Sequence, residues 1–597
     1  MKKILFSGSA LALMLALASC DKDTLDENPR SVLVPGFFGT PDGIQAGLVG
    51  VYSGLRNITA DQGGSNFMSQ GTDEFMRGFS GSDGYEDYNA GLMSATNGTA
   101  TNLWNTFYGN INTANGVIQY AGSVQGLPAA TVTQIVAETK VLRAWNYFYL
   151  VQSFGAVPLT LSFVDSPTKD FSRAPVADVY NAIIQDLNDA LGNPNAQGVP
   201  TTTSIANAAA QPGRVTRATA LHLLAKVYLT RATSVAKAPD DYAKAAQYAE
   251  ELIRDASKYG KGLEADPAQV FVEGNENGKE VLMNVQFNAD PTFTGISDNG
   301  AGGAGQNQTN FLFRVRYDFL PNMARSIPYG RPFGRLGSTP YLLDSYKLAT
   351  ETNPREWRST DTRYAKWFST LWLVNSPGGN GGTAFNPKAV VGDTAAWYAG
   401  REISAAEQTR INNRPNGRYV VGTPSTYTTQ FSPYINKFDD ATRAALNNSS
   451  DRPLIFYRLA ETYLIAAEAN MYLGSTGKAV DQINTIRRRA AAPGKTAQME
   501  ITAAQLNIDF ILDERTRELC GEFTRWYDLV RTGKLVERVK KYVPAYVGSK
   551  PSPIPGVSDN YGSDAARNIQ PFHVLRPIPQ QEIDRTGGKI TQNPGYN

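Results

Sequence analysis

Apolar residues recur at helical spacing from about Pro41 to Leu191 and again from Arg214 to Asp255, and the segments that carry them come in pairs. VLRAWNYFYLVQSFG (141–155) precedes VADVYNAIIQDLNDAL (176–191), and ATALHLLAKVYLTRAT (218–233) precedes DYAKAAQYAEELIRD (241–255). A third pair is IFYRLAETYLIAAEANMYLG (455–474) followed by GKAVDQINTIRRRA (477–490). There Leu459, Tyr463 and Ala467 form one stripe, Ile483, Ile486 and Ala490 face it, and Gly474 suits the position after the first helix. Units of about 35 residues with small alanines at the crossings resemble tetratricopeptide repeats, which need neighbours to bury their apolar faces. Between about Ala256 and Asp451 the periodicity fades, Gly, Asn, Ser, Thr and Pro dominate, and short strands such as VLMNVQF (281–287) are expected. The pattern predicts a mainly α protein: tetratricopeptide-like helix pairs in an α-α superhelix, with an inserted loop-rich lobe. Its parts are a helical-repeat segment 41–255, a ligand-binding lobe 256–451 and a second helical-repeat segment 452–597.

The N-terminal apolar run has a different meaning. Lys2 and Lys3 precede Ile4 to Ala18, the pattern of a secretory signal over residues 1–19. A spanning helix needs roughly 20 apolar residues, so this run is too short. It ends in Leu17-Ala18-Ser19-Cys20, which looks like a bacterial lipobox, and cleavage before Cys20 leaves a thiol for lipidation. Acyl chains contribute about 0.8 kcal/mol per buried CH₂. Residues 20–40 carry charge, Pro and Gly without a sustained period, and read as lipid anchor and tether. The mature chain is expected to be anchored to a membrane, not embedded in it.

Charge narrows the partners. Of 57 basic and 55 acidic residues, loss of Lys2 and Lys3 with the signal leaves 55 of each. That balance supplies no basic excess for nucleic acid, and no such partner is expected. With Cys20 lipidated, Cys520 has no disulfide partner, so stability must come from core burial.

Catalytic chemistry finds little support. The two histidines, His222 and His573, have no nucleophile or metal pattern around them. In DERTRELCGE (513–522), Glu514–Arg517, Arg515–Glu518 and Glu522–Arg525 are spaced as helical ion pairs rather than as an acid/base site. Glycoside hydrolysis needs only two carboxylates, and Asp73, Glu74, Asp83, Glu86 and Asp87 are the candidates for it. A solvated loop, able to take up a structural Ca²⁺, is the simpler reading, although EF-hand spacing is missing. GAGGAGQNQTN (300–310) and SPGGNGG (376–382) lack the Lys-Ser/Thr of a phosphate loop and read as flexible. No cofactor is implied.

Loop aromatics point to a sugar, in keeping with a partner that is uncharged or modestly charged. A pyranose offers an apolar C–H face and a rim of hydroxyls, which rings and polar side chains match. Residues 75–89 supply Phe75, Arg77, Phe79, Tyr85, Tyr88 and Asn89; 311–333 supply Tyr317, Tyr329 and Arg331; 367–398 supply Trp367, Trp372, Trp397 and Tyr398. The preferred ligand-binding set is Tyr85, Tyr88, Tyr317, Trp372 and Trp397, with Arg77 and Asn89 as polar contacts. Trp104, Trp145 and Trp526 lie in helical motifs and read as core.

Several segments, taken in order, resemble the SusD/RagB family of outer-membrane nutrient-binding lipoproteins. They include LWNTFYGNINTANGVI (103–118), ETKVLRAWNYFYLVQSFGAVPL (138–159), GRVTRATALHLLAKVYL (213–229), ILDERTRELCGEFTRWYDLVRTGKL (511–535) and LRPIPQQEI…QNPGYN (575–597). The resemblance implies a lipid-anchored protein facing the cell exterior, which binds glycans and passes them to a SusC-like TonB-dependent transporter without catalysis. One rival keeps the fold and exchanges the ligand for peptides or protein fragments. The other is a surface glycoside hydrolase using the 73–87 carboxylates.

Overall fold

In the computed structural model, residues 35–81, 83–192, 212–290 and 306–596 are described. The signal segment, Cys20, the first part of the expected tether and residues 300–305 of the first glycine-rich stretch lie outside them. The long helices begin where the sequence supplies a cap. Thr40 accepts the Gly43 amide at 3.0 Å and Pro41 occupies the first turn of α1 (Pro41–Thr59). Asn97 accepts from Ala100 to open α2 (Gly98–Tyr120), and paired Thr216 and Thr219 open α5 (Arg217–Arg231). Between them run α3 (Ala129–Phe154) and α4 (Val176–Leu191), and α6 (Asp241–Asp255) follows.

After the lobe come α7 (Leu459–Tyr472), α8 (Thr476–Ala490), α9 (Ile508–Leu519) and α10 (Arg525–Arg531). α7 ends in a Schellman arrangement: Ser475 N–H donates to Asn470 at 2.9 Å, Gly474 N–H donates to Met471 at 3.1 Å, and Gly474 has φ of 74°.

Each helix from α1 to α6 packs on the next, and α6 packs on α7 although residues 256–458 intervene. The helical array is therefore continuous in space and the lobe is an insertion into it. α3 is buried almost all round, and its buried charged groups are paired. Arg143 forks onto Asp186 at 2.7 and 2.8 Å, while Glu138 accepts from Tyr52 at 2.8 Å and Arg214 at 2.6 Å. Trp104, Trp145 and Trp526 are buried, as is Cys520, whose thiol burial pushes up to about 11.

Short strands fasten the lobe. β1 (Phe75–Arg77) and β2 (Val281–Val285) each pair antiparallel with a distant partner, β1 with β3 (Leu336–Ser338). β4 (Leu371–Leu373), β5 (Thr394–Tyr398) and β6 (Val420–Gly422) form a separate sheet in that order. β2 pairs with β7 (Leu454–Arg458), so the segment 455–474, expected to be one helix, is a strand that passes directly into α7. LIFYR is buried along its whole length, and β-branched and aromatic side chains fit the two-sided environment that pairing with β2 provides.

The body also begins earlier than expected. Pro35–Phe38 is a short helix, and buried Phe38 packs edge-on to Phe163 with centroids 5.2 Å apart, within the segment expected as tether.

Under the lobe lies a buried ionic network. Arg363 bonds Asp361, Glu514 and Glu518 at 2.7, 2.9 and 2.8 Å; Arg458 bonds Glu280, Glu518 and Glu522 at 3.0, 2.6 and 2.6 Å. Burial pushes the Glu518 carboxyl up, but Arg489, Arg458 and Arg363 outweigh it and hold it far below the usual range. Of the three helical pairs expected in 513–522 and beyond, Glu514–Arg517 forms at 2.8 Å. Arg515 instead reaches Glu461 and Asp528, Glu522 reaches Lys437 and Arg458, and Arg525 reaches Asp73. α9 stops at Leu519, so Glu522 and Arg525 do not share a helix face.

Candidate ligand-binding surface

The β1–β3 pairing brings residues 75–81 beside residues 311–335. Gly78 N–H donates to Arg335 at 3.1 Å, and the amides of Gly334 and Arg335 donate to Phe311 and Leu312 at 3.2 and 2.7 Å. Gly334 is required here: its φ is 41°, and a Cβ would lie 2.3 Å from the Phe79 ring. On this frame, rings and guanidinium groups alternate. Arg316 lies 3.4 Å from the Phe319 centroid and 5.5 Å from that of Phe79, while Arg331 and Arg335 lie 4.5 and 4.6 Å from that of Phe333. Asp318 tethers Arg316 at 2.9 Å and Arg325 at 3.1 Å. Phe319 is 48 % exposed, a large ring held at the surface with a charged plane against it.

The structure distributes the seven candidate residues unevenly. Tyr317 and Trp372 come together, but below the surface: their rings stack at 4.8 Å and Trp372 stacks on Tyr434 at 5.6 Å. Both ring faces of Trp372 are thus covered by protein, which corrects their reading as open sugar platforms. Half-buried Tyr329 meets Trp372 edge-on at 5.1 Å.

Tyr85 and Tyr88 are also buried. Tyr85 donates to Asn97 at 2.9 Å; Tyr88 donates to the Gly71 carbonyl at 2.6 Å and stacks on His573 at 4.9 Å. They pack the loop against the core. Asn89 is exposed, but its side chain accepts from Gly91 and Leu92 and closes a turn. Arg77 is half-exposed and pairs with Asp87 at 3.4 Å. Half-buried Trp397 lies on β5 opposite exposed Leu371, on a separate sheet. Phe319, Arg316, Phe333 and Arg335 were absent from the sequence-derived set; the runs FRVRYDFL (313–320) and RPFGR (331–335), with arginines beside aromatics, carry the signal.

The carboxylates of residues 73–87 do not form a solvated loop. Asp73 is buried and held by Arg525 at 2.6 Å and Arg538 at 2.7 Å. Burial raises it, yet the two guanidinium groups outweigh that and keep it ionised. Glu74, also buried, is pushed up to about 7 by burial and by the adjacent Asp73, with Arg525 opposing. Glu86 is buried, and Asp87 accepts from Ser563 at 2.6 Å. A perturbed pair enclosed by arginines offers a glycoside no access. His222 is buried against Thr462 at 2.8 Å and Glu461 at 3.2 Å, and His573 accepts the Gln570 amide at 2.9 Å. Among the described residues, no group of three His, Cys, Asp or Glu side chains is placed to hold a metal ion.

Glu74 makes a signed prediction. Its folded pKa, about 7, exceeds its ordinary value of 4.5, so the folded state retains a proton that the unfolded chain releases across that window. Its contribution to stability therefore falls as pH rises from about 4.5 to about 7. Glu74→Gln is expected to be more stable than the parent at pH 8 by about 2–3 kcal/mol, and nearly equal to it at pH 4.5. Urea unfolding at the two pH values measures this; an equal difference at both would refute the assignment.

The likeness to known proteins covers the whole of this architecture. The model of the SusD family matches residues 279–596, more than half of the chain, and one described as starch-binding associating with outer membrane matches 24–229. SusD-like protein P2 of Formosa agariphila is 27 % identical over 606 residues, spanning 98 % of each chain. Starch-binding protein SusD of Bacteroides thetaiotaomicron is 23 % identical over 493 residues, 80 % of this chain and 75 % of that one. A solved laminarin binding SusD-like protein superposes with a TM-score of 0.61 at 24 % identity, covering 93 % of this chain and 100 % of that one. With its helical-repeat array, its inserted lobe and its C-terminal signature segments all within these matches, the chain belongs to the SusD family.

Proposed function

We propose that the protein captures glycans at the cell surface, held there by acyl chains on Cys20, and delivers them to a SusC-like TonB-dependent transporter in the outer membrane. The observation that carries the ligand reading is Phe319, exposed on the lobe with the Arg316 guanidinium against its ring. A ring face with hydrogen-bond donors beside it matches the C–H face and hydroxyl rim of a sugar. Relatives named for starch and laminarin binding support the same class. The enclosed Asp73–Glu74 pair favours binding over hydrolysis. Among the described residues no helix is long and apolar enough to cross a membrane, consistent with anchoring through the lipobox.

Isothermal titration of a soluble form beginning after Cys20, against panels of oligosaccharides and peptides, tests the ligand. Phe319→Ala is expected to weaken glycan binding roughly 2- to 10-fold, the size of one ring contact of about 0.5–1.5 kcal/mol, with little change in stability. Preference for peptides over every glycan would overturn the reading. Release of new reducing ends, lost in Asp83→Asn or Glu86→Gln, would replace it with a hydrolase.

A further inference from the structure

Residues 306–335 contain five arginines, one aspartate, no glutamate and no lysine, in a chain whose mature charges balance. Arg314 turns inward to Asp439 at 2.5 Å and to the Tyr434 ring. The other four, Arg316, Arg325, Arg331 and Arg335, are half-buried on the ring-bearing face, and Arg77 joins them through β1.

The layering of charge is as informative as the count. The side chains of Arg77, Arg325 and Arg316 keep 43, 34 and 21 % of their surface exposed. Their carboxylate partners, Asp87 and Asp318, lie beneath and keep 9 and 10 %. Asp83 is half-buried and engaged by the Asn66 amide at 2.6 Å. Asp83 apart, cations therefore form the outer layer and anions the inner one, so a ligand meets positive potential first. Burial, with Arg325 and Arg335 close by, lowers Arg331 from its usual value, as in a site crowded with like charge.

We infer that this face selects acidic glycans, sugars bearing carboxylate or sulfate groups, through the guanidinium groups of Arg325 and Arg331 beside the Phe319 and Phe333 rings, with Arg335, bonded to the Ser80 carbonyl, adding charge behind them. The inference rests on the glycan-binding reading above and narrows it to a substrate class. A guanidinium matches two oxygens of a carboxylate or sulfate at once, which an ammonium does not, and the absence of lysine from this stretch fits that requirement. The rings then take the C–H faces of the residues between the charged groups.

The test titrates the soluble protein with three oligosaccharides of equal length: a neutral β-glucan, a galacturonan and a sulfated galactan. The expected result is about 10-fold tighter binding of one or both acidic oligomers, reduced to within about 2-fold of the neutral one by 0.5 M NaCl, since exposed charges are screened at that ionic strength. The two acidic arms separate carboxylate from sulfate recognition. Arg325→Gln and Arg331→Gln should each remove most of the advantage, while Arg331→Lys keeps the salt dependence and loses part of the affinity. Thermal unfolding checks that the variants fold, and the salt response of the unaltered protein tests the inference independently of them. Equal or tighter binding of the neutral oligomer would overturn the acidic preference and leave the glycan reading standing. An acidic preference that survives both Gln variants would overturn the assignment to this face. Binding of peptides with no glycan bound at all would remove the reading on which the inference depends.

Discussion

Arg458→Met is expected to lower the unfolding free energy by about 3–5 kcal/mol, measured by urea unfolding at pH 7. The guanidinium is buried at the end of β7 and bonds three carboxylates, those of Glu280, Glu518 and Glu522, at 3.0, 2.6 and 2.6 Å. Methionine fills much of the volume but leaves three buried anions short of a donor. The loss is expected to exceed that of a surface pair, where solvent screens the charges and the contribution is about 0–1 kcal/mol. Glu522 keeps Lys437 at 2.7 Å, and Glu518 keeps Arg363 and Arg489 at 2.8 and 2.5 Å, so the network survives in part. Adding Glu522→Gln to Arg458→Met should therefore cost less than the sum of the single changes, because one stranded charge is removed. A loss under about 1 kcal/mol for Arg458→Met would show that the network does not hold the lobe to the helical array.

Trp372→Ala is expected to cost a further large amount, about 3–5 kcal/mol, while leaving the glycan affinity of the folded protein within about 2-fold of the parent. Trp372 is the middle of a three-ring column with Tyr317 and Tyr434, at 4.8 and 5.6 Å, and its side chain is buried. Truncation opens a cavity beneath β4 that the surrounding rings cannot fully close. Phe319→Ala should behave oppositely, losing affinity and little stability, because its ring is exposed. Measuring both variants by chemical unfolding and by calorimetric titration separates support from contact. A severalfold affinity loss in folded Trp372→Ala would return that ring to the binding site.

The helix pairs were legible because their signal is local. Val141 to Gly155, Ala218 to Thr233 and Asp241 to Asp255 show their period within a few turns, and each folds as a helix or helix end at that place. The segment 455–474 defeated the same reasoning at its start. Ile455 to Arg458 lie next to a strong helical stripe, and only pairing with β2, some 170 residues earlier, makes them a strand. The ion pairs show the same divide. Glu514–Arg517 follows from spacing, whereas Arg525 reaches Asp73 across 452 residues, a choice no spacing rule contains.

The candidate site was less legible, for a related reason. Tyr85, Tyr88 and Tyr317 come from irregular segments, where no period says which side faces the core, and Trp372 sits on a strand of three residues, too short to show one. A positive φ at Tyr88, 50°, and its hydroxyl bond to Gly71 turn that ring inward. Phe319, two residues from Tyr317, is exposed instead.

By itself, the amino-acid sequence determined the paired helices, the near-zero charge and the scarcity of histidine and cysteine, since each of these is a local pattern or a count. Tertiary structure alone decided that the helical array closes across the insertion, which loop rings are exposed, and which carboxylate each buried arginine meets. Burial and charge pairing depend on what the rest of the chain brings into contact, and in irregular segments neighbours in sequence say little about neighbours in space.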